Sequence, residues 1–224
     1  MLFTHAELLK LHSSFGHAPA ARIWSHLLKA RPNTNPGVKD DLEAIRKHCE
    51  ACQRYSHKPS RFRASVVPNN LQFNDEVEVD IWFIDSDIPV ATFHCRQTGW
   101  GQSSLLRDNK YTAENVWRAM LIKWICVSPG WMRVLATYQG ATFTSSSFNT
   151  LCQTAGVSLK SVAVEAHNAI GGNERSHGVV RQIFNKLRTE ANHNRDDLEL
   201  TIGLAHKAKN DTANEFVLEP TLLV

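Results

Sequence analysis

The chain has 224 residues, of which 42% are hydrophobic and 21% charged, the balance of a globular protein and not of a disordered one. No stretch reaches the roughly 20 apolar residues that a membrane-crossing helix needs, and the opening MLFTHAELLKLH mixes His, Glu and Lys into its apolar residues, unlike a secretory signal. The formal charge of +3 is mild, but residues 1–70 hold 11 Lys/Arg against 5 Asp/Glu while residues 71–224 hold 14 against 17; such asymmetry suits a part that touches a polyanion, or a solvated basic face.

Thr4-His5-Ala6-Glu7 reads as a capping box and predicts a helix over residues 6–13. Ile23, Trp24, Leu27 and Leu28 have helical spacing, residues 32–37 break it, and Leu42 and Ile45 suggest a third short helix. A helical unit this small buries too little surface to stand without a staple. Residues 58–73 hold two prolines, two asparagines and three basic residues and read as a linker. The period then changes. Val77, Val79, Ile81 and Phe83 alternate as a strand, and partner strands are predicted over 88–93 and 103–106. A helix over 112–127, a strand over 132–137, a helix over 147–155 and a strand over 157–164 follow. Helices over 171–188, with Val179, Val180, Ile183, Phe184 and Leu187 as its apolar stripe, and over 198–209 complete the order. Strands first and then alternation with helices predict an α/β three-layer domain.

The five cysteines are Cys49, Cys52, Cys95, Cys126 and Cys152, an odd number that argues against a disulfide framework. His12 and His17, with Cys49 and Cys52 following, offer two imidazole nitrogens and two thiolates, a set that suits tetrahedral zinc. Closing the small helical unit on an ion would supply its staple, because metal-binding energy becomes folding energy. A CxxC pair also suits redox chemistry, although such a pair usually opens a helix after a strand and no strand is predicted before Cys49. His5, His26, His48 and His57 are neighbouring histidines that compete for the same role. Asp80 sits inside the first apolar strand, where a carboxylate is costly unless it is paired or holds a metal; a structural hydrogen-bond acceptor is the simpler alternative. Glu174 lies in the first turn of the 171–188 helix, as a ligand or as a favourable charge at a helix N-terminus. His177, Arg181 and Arg188 share its face by spacing, which would set basic groups on phosphates.

Over nearly its full length the chain resembles the integrases of LTR retrotransposons of the copia type. LHSSFGH and CEACQRYSHKPSRF look like the HHCC zinc module of that family. EVEVDIWFID resembles the strand carrying its first catalytic Asp, and AHNAIGGNERSHGVVRQIFNKL the turn and helix carrying its catalytic Glu. KAKNDTANEFVLEPTLLV is similar to a segment found downstream of the core. The resemblance implies an all-α zinc-binding module over residues 1–57 and a linker over 58–73. It further implies an RNase H-like core over 74–224, a mixed five-stranded sheet flanked by helices, truncated at the C-terminus. It implies a structural Zn²⁺ on His12, His17, Cys49 and Cys52, and a D, D, E triad that binds two Mg²⁺ or Mn²⁺ ions for 3′-end processing and strand transfer. Two metals about 4 Å apart activate the attacking oxygen and stabilise the leaving one, hence the need for clustered carboxylates. Asp80 matches the first acid and Glu174 the third. The second belongs to an Asp-x-Gly-x-x-Phe pattern, which here reads Tyr138-Gln139-Gly140-Ala141-Thr142-Phe143, with 35 residues between Tyr138 and Glu174. A phenol, with a reference pKa of about 10, is neutral at pH 7 and a poor ligand for Mg²⁺. Cys95 is a second departure, at a position where relatives often have Asp, whereas Trp100 keeps the expected aromatic.

The resemblance also implies DNA partners, both element ends and target, with Arg175, His177, Arg181 and Arg188 as nucleic-acid-binding residues. It implies a homo-oligomer, no membrane and a nuclear location. Three functions follow: an integrase-derived polynucleotidyl transferase impaired at Tyr138, a non-catalytic zinc-dependent DNA-binding or interaction module, and an inert relic of a decayed element. Asp85 and Asp87 lie near Asp80 in sequence but have no clear route into its site.

Overall fold

Alternating Val77, Val79 and Ile81 build the strand on which the rest of the sheet is assembled, β1 (Glu76–Ile84). β2 (Ile88–Cys95) returns antiparallel to it through a tight turn and is buried along its whole length, and β3 (Gly101–Leu105) extends the sheet antiparallel on that side. On the other side β4 (Val134–Tyr138) pairs parallel with β1, and β5 (Ser158–Val162) pairs parallel with β4. The sheet is therefore mixed and five-stranded, in the order β3-β2-β1-β4-β5. The computed structural model describes residues 3–55, 72–128, 130–162, 171–190 and 197–212, with the side chains of 171–175 outside that description. The predicted linker falls almost wholly outside it, as does the tail after residue 212.

The helices are α1 (His5–Ser14), α2 (Ala20–Ala30), α3 (Gly37–His48), α4 (Glu50–Tyr55), α5 (Ala113–Met120), α6 (Ala141–Thr144), α7 (Ser146–Thr154), α8 (Gly171–Glu190) and α9 (Leu198–Asn210). The capping box at α1 is formed: Thr4 Oγ1 accepts from the Glu7 amide, and Glu7 accepts from the Thr4 amide at 2.8 Å. α4, a helix of 6 residues, was not foreseen, because it is too short for a periodic pattern. The helix expected over 112–127 divides. After α5 the chain makes a π turn over Leu121–Ile125, closed by Cys126 N–H donating to Leu121 O at 3.0 Å. Inside that turn Trp124 is fully buried and its indole N–H donates to Asn74 Oδ1 at 2.8 Å; a buried indole needs such an acceptor.

The chain divides into two compact units. One holds α1–α4, the part of α8 from Val179 onward, and α9; its N-terminal helices pack on Leu8, Ile23, Leu27, Leu42 and Ile45. The other holds the sheet, α5–α7 and the start of α8. Its core lies on one sheet face, where Val77, Val79, Phe93, Cys95 and Leu135 meet Val116 and Met120 of α5 and Phe148 and Cys152 of α7. Cys95 is fully buried there and packs as a small apolar group. Strand parity sends Glu78, Asp80 and Trp82 to the opposite face.

Candidate functional sites: a metal centre and an acidic sheet face

The metal centre begins with a hook in the backbone. After α1, Gly16 (φ 59°) and His17 (φ 58°) both adopt the left-handed conformation, and His17 N–H donates to His12 O at 2.9 Å. A Cβ at position 16 would stand 2.6 Å from Ile183 Cγ2 and 2.8 Å from Ala208 Cβ, so only glycine fits. The hook turns the His17 ring back until its Nδ1 lies 3.2 Å from His12 Nε2. Cys49 ends α3 and Cys52 lies in the first turn of α4, so the corner between these helices presents both sulfurs. Cys49 Sγ is 3.4 Å from His17 Nδ1, and Cys52 Sγ is 3.3 Å from His12 Nε2 and 3.8 Å from His17 Nδ1. All four ligand atoms lie within 4.8 Å of one another. Bonds of about 2.0–2.3 Å to a tetrahedral zinc set ligand atoms about 3.3–3.8 Å apart, so the donor set and its spacing fit that ion.

Burial, with the charges of His17 and Lys186, holds His12 down to about 4, so its imidazole is neutral, the form that ligates. Burial pushes Cys52 up to about 11 against the opposing pull of Lys186, so zinc binding here releases thiol protons. A cavity of about 390 Å³, lined in part by Leu9, His12, Ile45 and Cys49, leads to the cluster. Two of the competing histidines are engaged otherwise. His48 Nδ1 is 2.9 Å from Ala44 O, and His26 packs on Phe15 with ring centroids 5.3 Å apart. His57 lies outside the described residues.

The second site is the sheet face opposite the core. Val79 pairs with Thr137 in parallel register, so the next residues, Asp80 and Tyr138, stand side by side on that face. After Tyr138 the chain turns into α6: Phe143 N–H donates to Gly140 O at 2.9 Å, and buried Phe143 packs on Phe148 with centroids 5.3 Å apart. Two acids on this face meet imidazoles. Asp80 Oδ2 lies 3.5 Å from His177 Nδ1, and Glu78 Oε2 lies 3.4 Å from His94 Nδ1, with both members of the second pair buried. Trp82 donates to Thr92 Oγ1 at 2.9 Å, and Thr92 bonds Ser103 at 2.6 Å.

The structure therefore brings together the four predicted zinc ligands, and it brings His177 onto Asp80. Glu174 and Arg175 lie in α8 with side chains outside the description. Arg181 is exposed and Arg188 half-buried. Asp85 stands in the β1–β2 turn, about 17 Å from Asp80 at strand rise, and Asp87 beside it, so neither reaches that site. The described donors beside Asp80 are an imidazole and a phenol. Sequence reasoning missed the Glu78–His94 pair. The only available signal was a Glu and a His inside apolar strands.

No protein-family model matches the chain, and no curated protein matches its sequence. Solved structures do. The HTLV-2 integrase catalytic core domain in complex with magnesium (trimeric form) aligns with a TM-score of 0.58 at 18% identity, over 68% of this chain and 97% of that one. The BIV integrase catalytic core domain aligns with a TM-score of 0.56 at 15% identity, over 66% and 92%. A simian T-cell lymphotropic virus intasome in complex with PP2A regulatory subunit B56 gamma aligns with a TM-score of 0.65 at 16% identity, over 96% and 71%. Likeness at these identities establishes the fold. The mixed five-stranded sheet with its flanking helices is the RNase H-like core seen in integrases.

Proposed function

We propose that the chain is an integrase-type, DNA-binding protein of a copia-type LTR retrotransposon whose polynucleotidyl transfer is impaired. Residues 1–57 supply a zinc-stapled module, 58–73 a linker and 74–224 the core. The observation that supports this reading is the parallel register Val79↔Thr137, which sets Asp80 and Tyr138 at neighbouring positions of the sheet; on the integrase reading a second carboxylate would be expected at position 138. Mg²⁺, the ion named with the HTLV-2 core, would supply Lewis-acid activation of the attacking and leaving oxygens. Asp80 lies 3.5 Å from His177 Nδ1, and a phenol, with a reference pKa of about 10, brings no negative charge at pH 7. Arg175, Arg181 and Arg188, with the basic N-terminal third, suit contact with phosphates. By the same reading the protein works as an oligomer on chromosomal DNA in the nucleus.

The test pairs two assays on one preparation. Duplex oligonucleotides should bind with an affinity that falls steeply as salt rises. Labelled ends should show little or no joining to target DNA in Mg²⁺. Efficient joining would overturn the impairment, and salt-independent or absent DNA binding would overturn the nucleic-acid reading.

A further inference from the structure

The metal centre has a polar surround that comes from far along the chain. His17 Nε2 lies 2.9 Å from Glu190 Oε2, and Ser13 Oγ donates to the other carboxylate oxygen, Oε1, at 2.9 Å. Glu190 is the last residue of α8. One turn earlier on the same helix Lys186 is buried, with 7% of its surface exposed, and its charge acts on Cys52 and Cys49. α8 thus presents a carboxylate to a histidine and an ammonium to the two sulfurs.

An imidazole that ligates through one nitrogen must carry its proton on the other. His17 faces the cluster with Nδ1 and Glu190 with Nε2. A carboxylate accepts hydrogen bonds only, so Glu190 selects the tautomer with the proton on Nε2 and leaves the Nδ1 lone pair aimed at the cluster. Ser13 in turn fixes the carboxylate. The strained left-handed φ of His17 lets the ring reach this position, and a strained backbone persists only where its surroundings hold it. The charges also balance. Zn²⁺ with two thiolates and two neutral imidazoles has no net charge, and Glu190 and Lys186 add one of each sign.

We propose that Glu190 is a positioning residue of the zinc centre, orienting His17 through Nε2 and making the last turn of α8 part of that centre. This rests on the reading of His12, His17, Cys49 and Cys52 as zinc ligands. A bridge that merely held α8 in place would leave the metal affinity and the Co²⁺ spectrum alone.

The experiment measures zinc in the full chain by competition with a chromophoric chelator, together with the visible spectrum of the Co²⁺-substituted protein. The wild type should bind one ion. Glu190→Ala should keep that stoichiometry, lose about 10–100-fold in affinity and shift the Co²⁺ bands. Glu190→Gln, whose amide oxygen still accepts from Nε2, should stay within a few fold of wild type. Ser13→Ala should lose about 2–10-fold, less than Glu190→Ala, because the carboxylate that accepts from Nε2 remains. Wild-type affinity and an unchanged Co²⁺ spectrum in Glu190→Ala would overturn the role of Glu190 and leave the zinc reading standing. A wild type that takes up no stoichiometric zinc would overturn both.

Discussion

Glu76 shows how a single side chain ties the sheet together. It opens β1, accepts from Arg96 beyond β2 at 2.8 Å, and accepts from Lys160 on β5 at 2.9 Å. Burial raises its pKa, but the hydrogen bonds from Lys160 and Arg96 outweigh that and hold the carboxyl below the usual carboxylate range. A depressed folded-state value gives stability that is present above the unfolded value of about 4.3 and lost as pH falls through the folded value. Glu76→Gln should therefore cost about 1–3 kcal/mol at pH 7, and the gap to wild type should begin to narrow as pH falls below about 4.3 and close below the depressed folded value. Urea midpoints across that range check it, and a gap that ignores pH would remove the charge from the explanation. At this scale the sequence was legible only where spacing carries meaning. His12, His17, Cys49 and Cys52 stand in a recognisable order, whereas Glu190 meets His17 across 173 residues with no pattern to announce it. Glu78 and His94 share that fate, because their pairing exists only once β1 and β2 take their register.

Among the elements, the strands and long helices were readable because apolar periodicity is a direct consequence of burying one face. The failures are instructive in the same terms. α4 is shorter than two turns, and the π turn after α5 is set by tertiary demands on Trp124, which meets Trp100 with ring centroids 4.9 Å apart and donates to Asn74. The hook between α1 and α2 is the element on which the candidate metal centre depends. Gly16→Ala adds a strained positive φ and a methyl against Ile183 and Ala208, for an expected loss of about 2–4 kcal/mol. Gly156, with φ +70° and nothing within 4 Å of its Cβ position, separates the two causes: Gly156→Ala should lose only the backbone part, about 1 kcal/mol. Chemical denaturation of both variants checks the difference. Equal losses would mean that the contact with Ile183 and Ala208 yields readily.

For the molecule as a whole, the fold and the chemistry give separate testimony. The sheet order, the intact turn at Gly140 and the likeness to integrase cores all survive at identities of 15–18%. An RNase H-like frame is held by apolar packing and backbone pairing, neither of which needs a carboxylate at position 138. Chemistry is less forgiving: on the proposed reading, a divalent cation at Asp80 would compete with the His177 imidazole 3.5 Å away. Tyr138→Asp tests whether the frame still holds the positions required. The new carboxylate would stand beside Asp80 in register, and two like charges that close favour either protonation or a bound cation. Mn²⁺ affinity should rise by at least about tenfold, or 1.4 kcal/mol, with the zinc stoichiometry unchanged. Calorimetry on the zinc-loaded protein reads this directly. Identical Mn²⁺ binding before and after the change would mean that Tyr138 does not head the metal-binding turn, and the case for impairment would then have to rest on His177 alone.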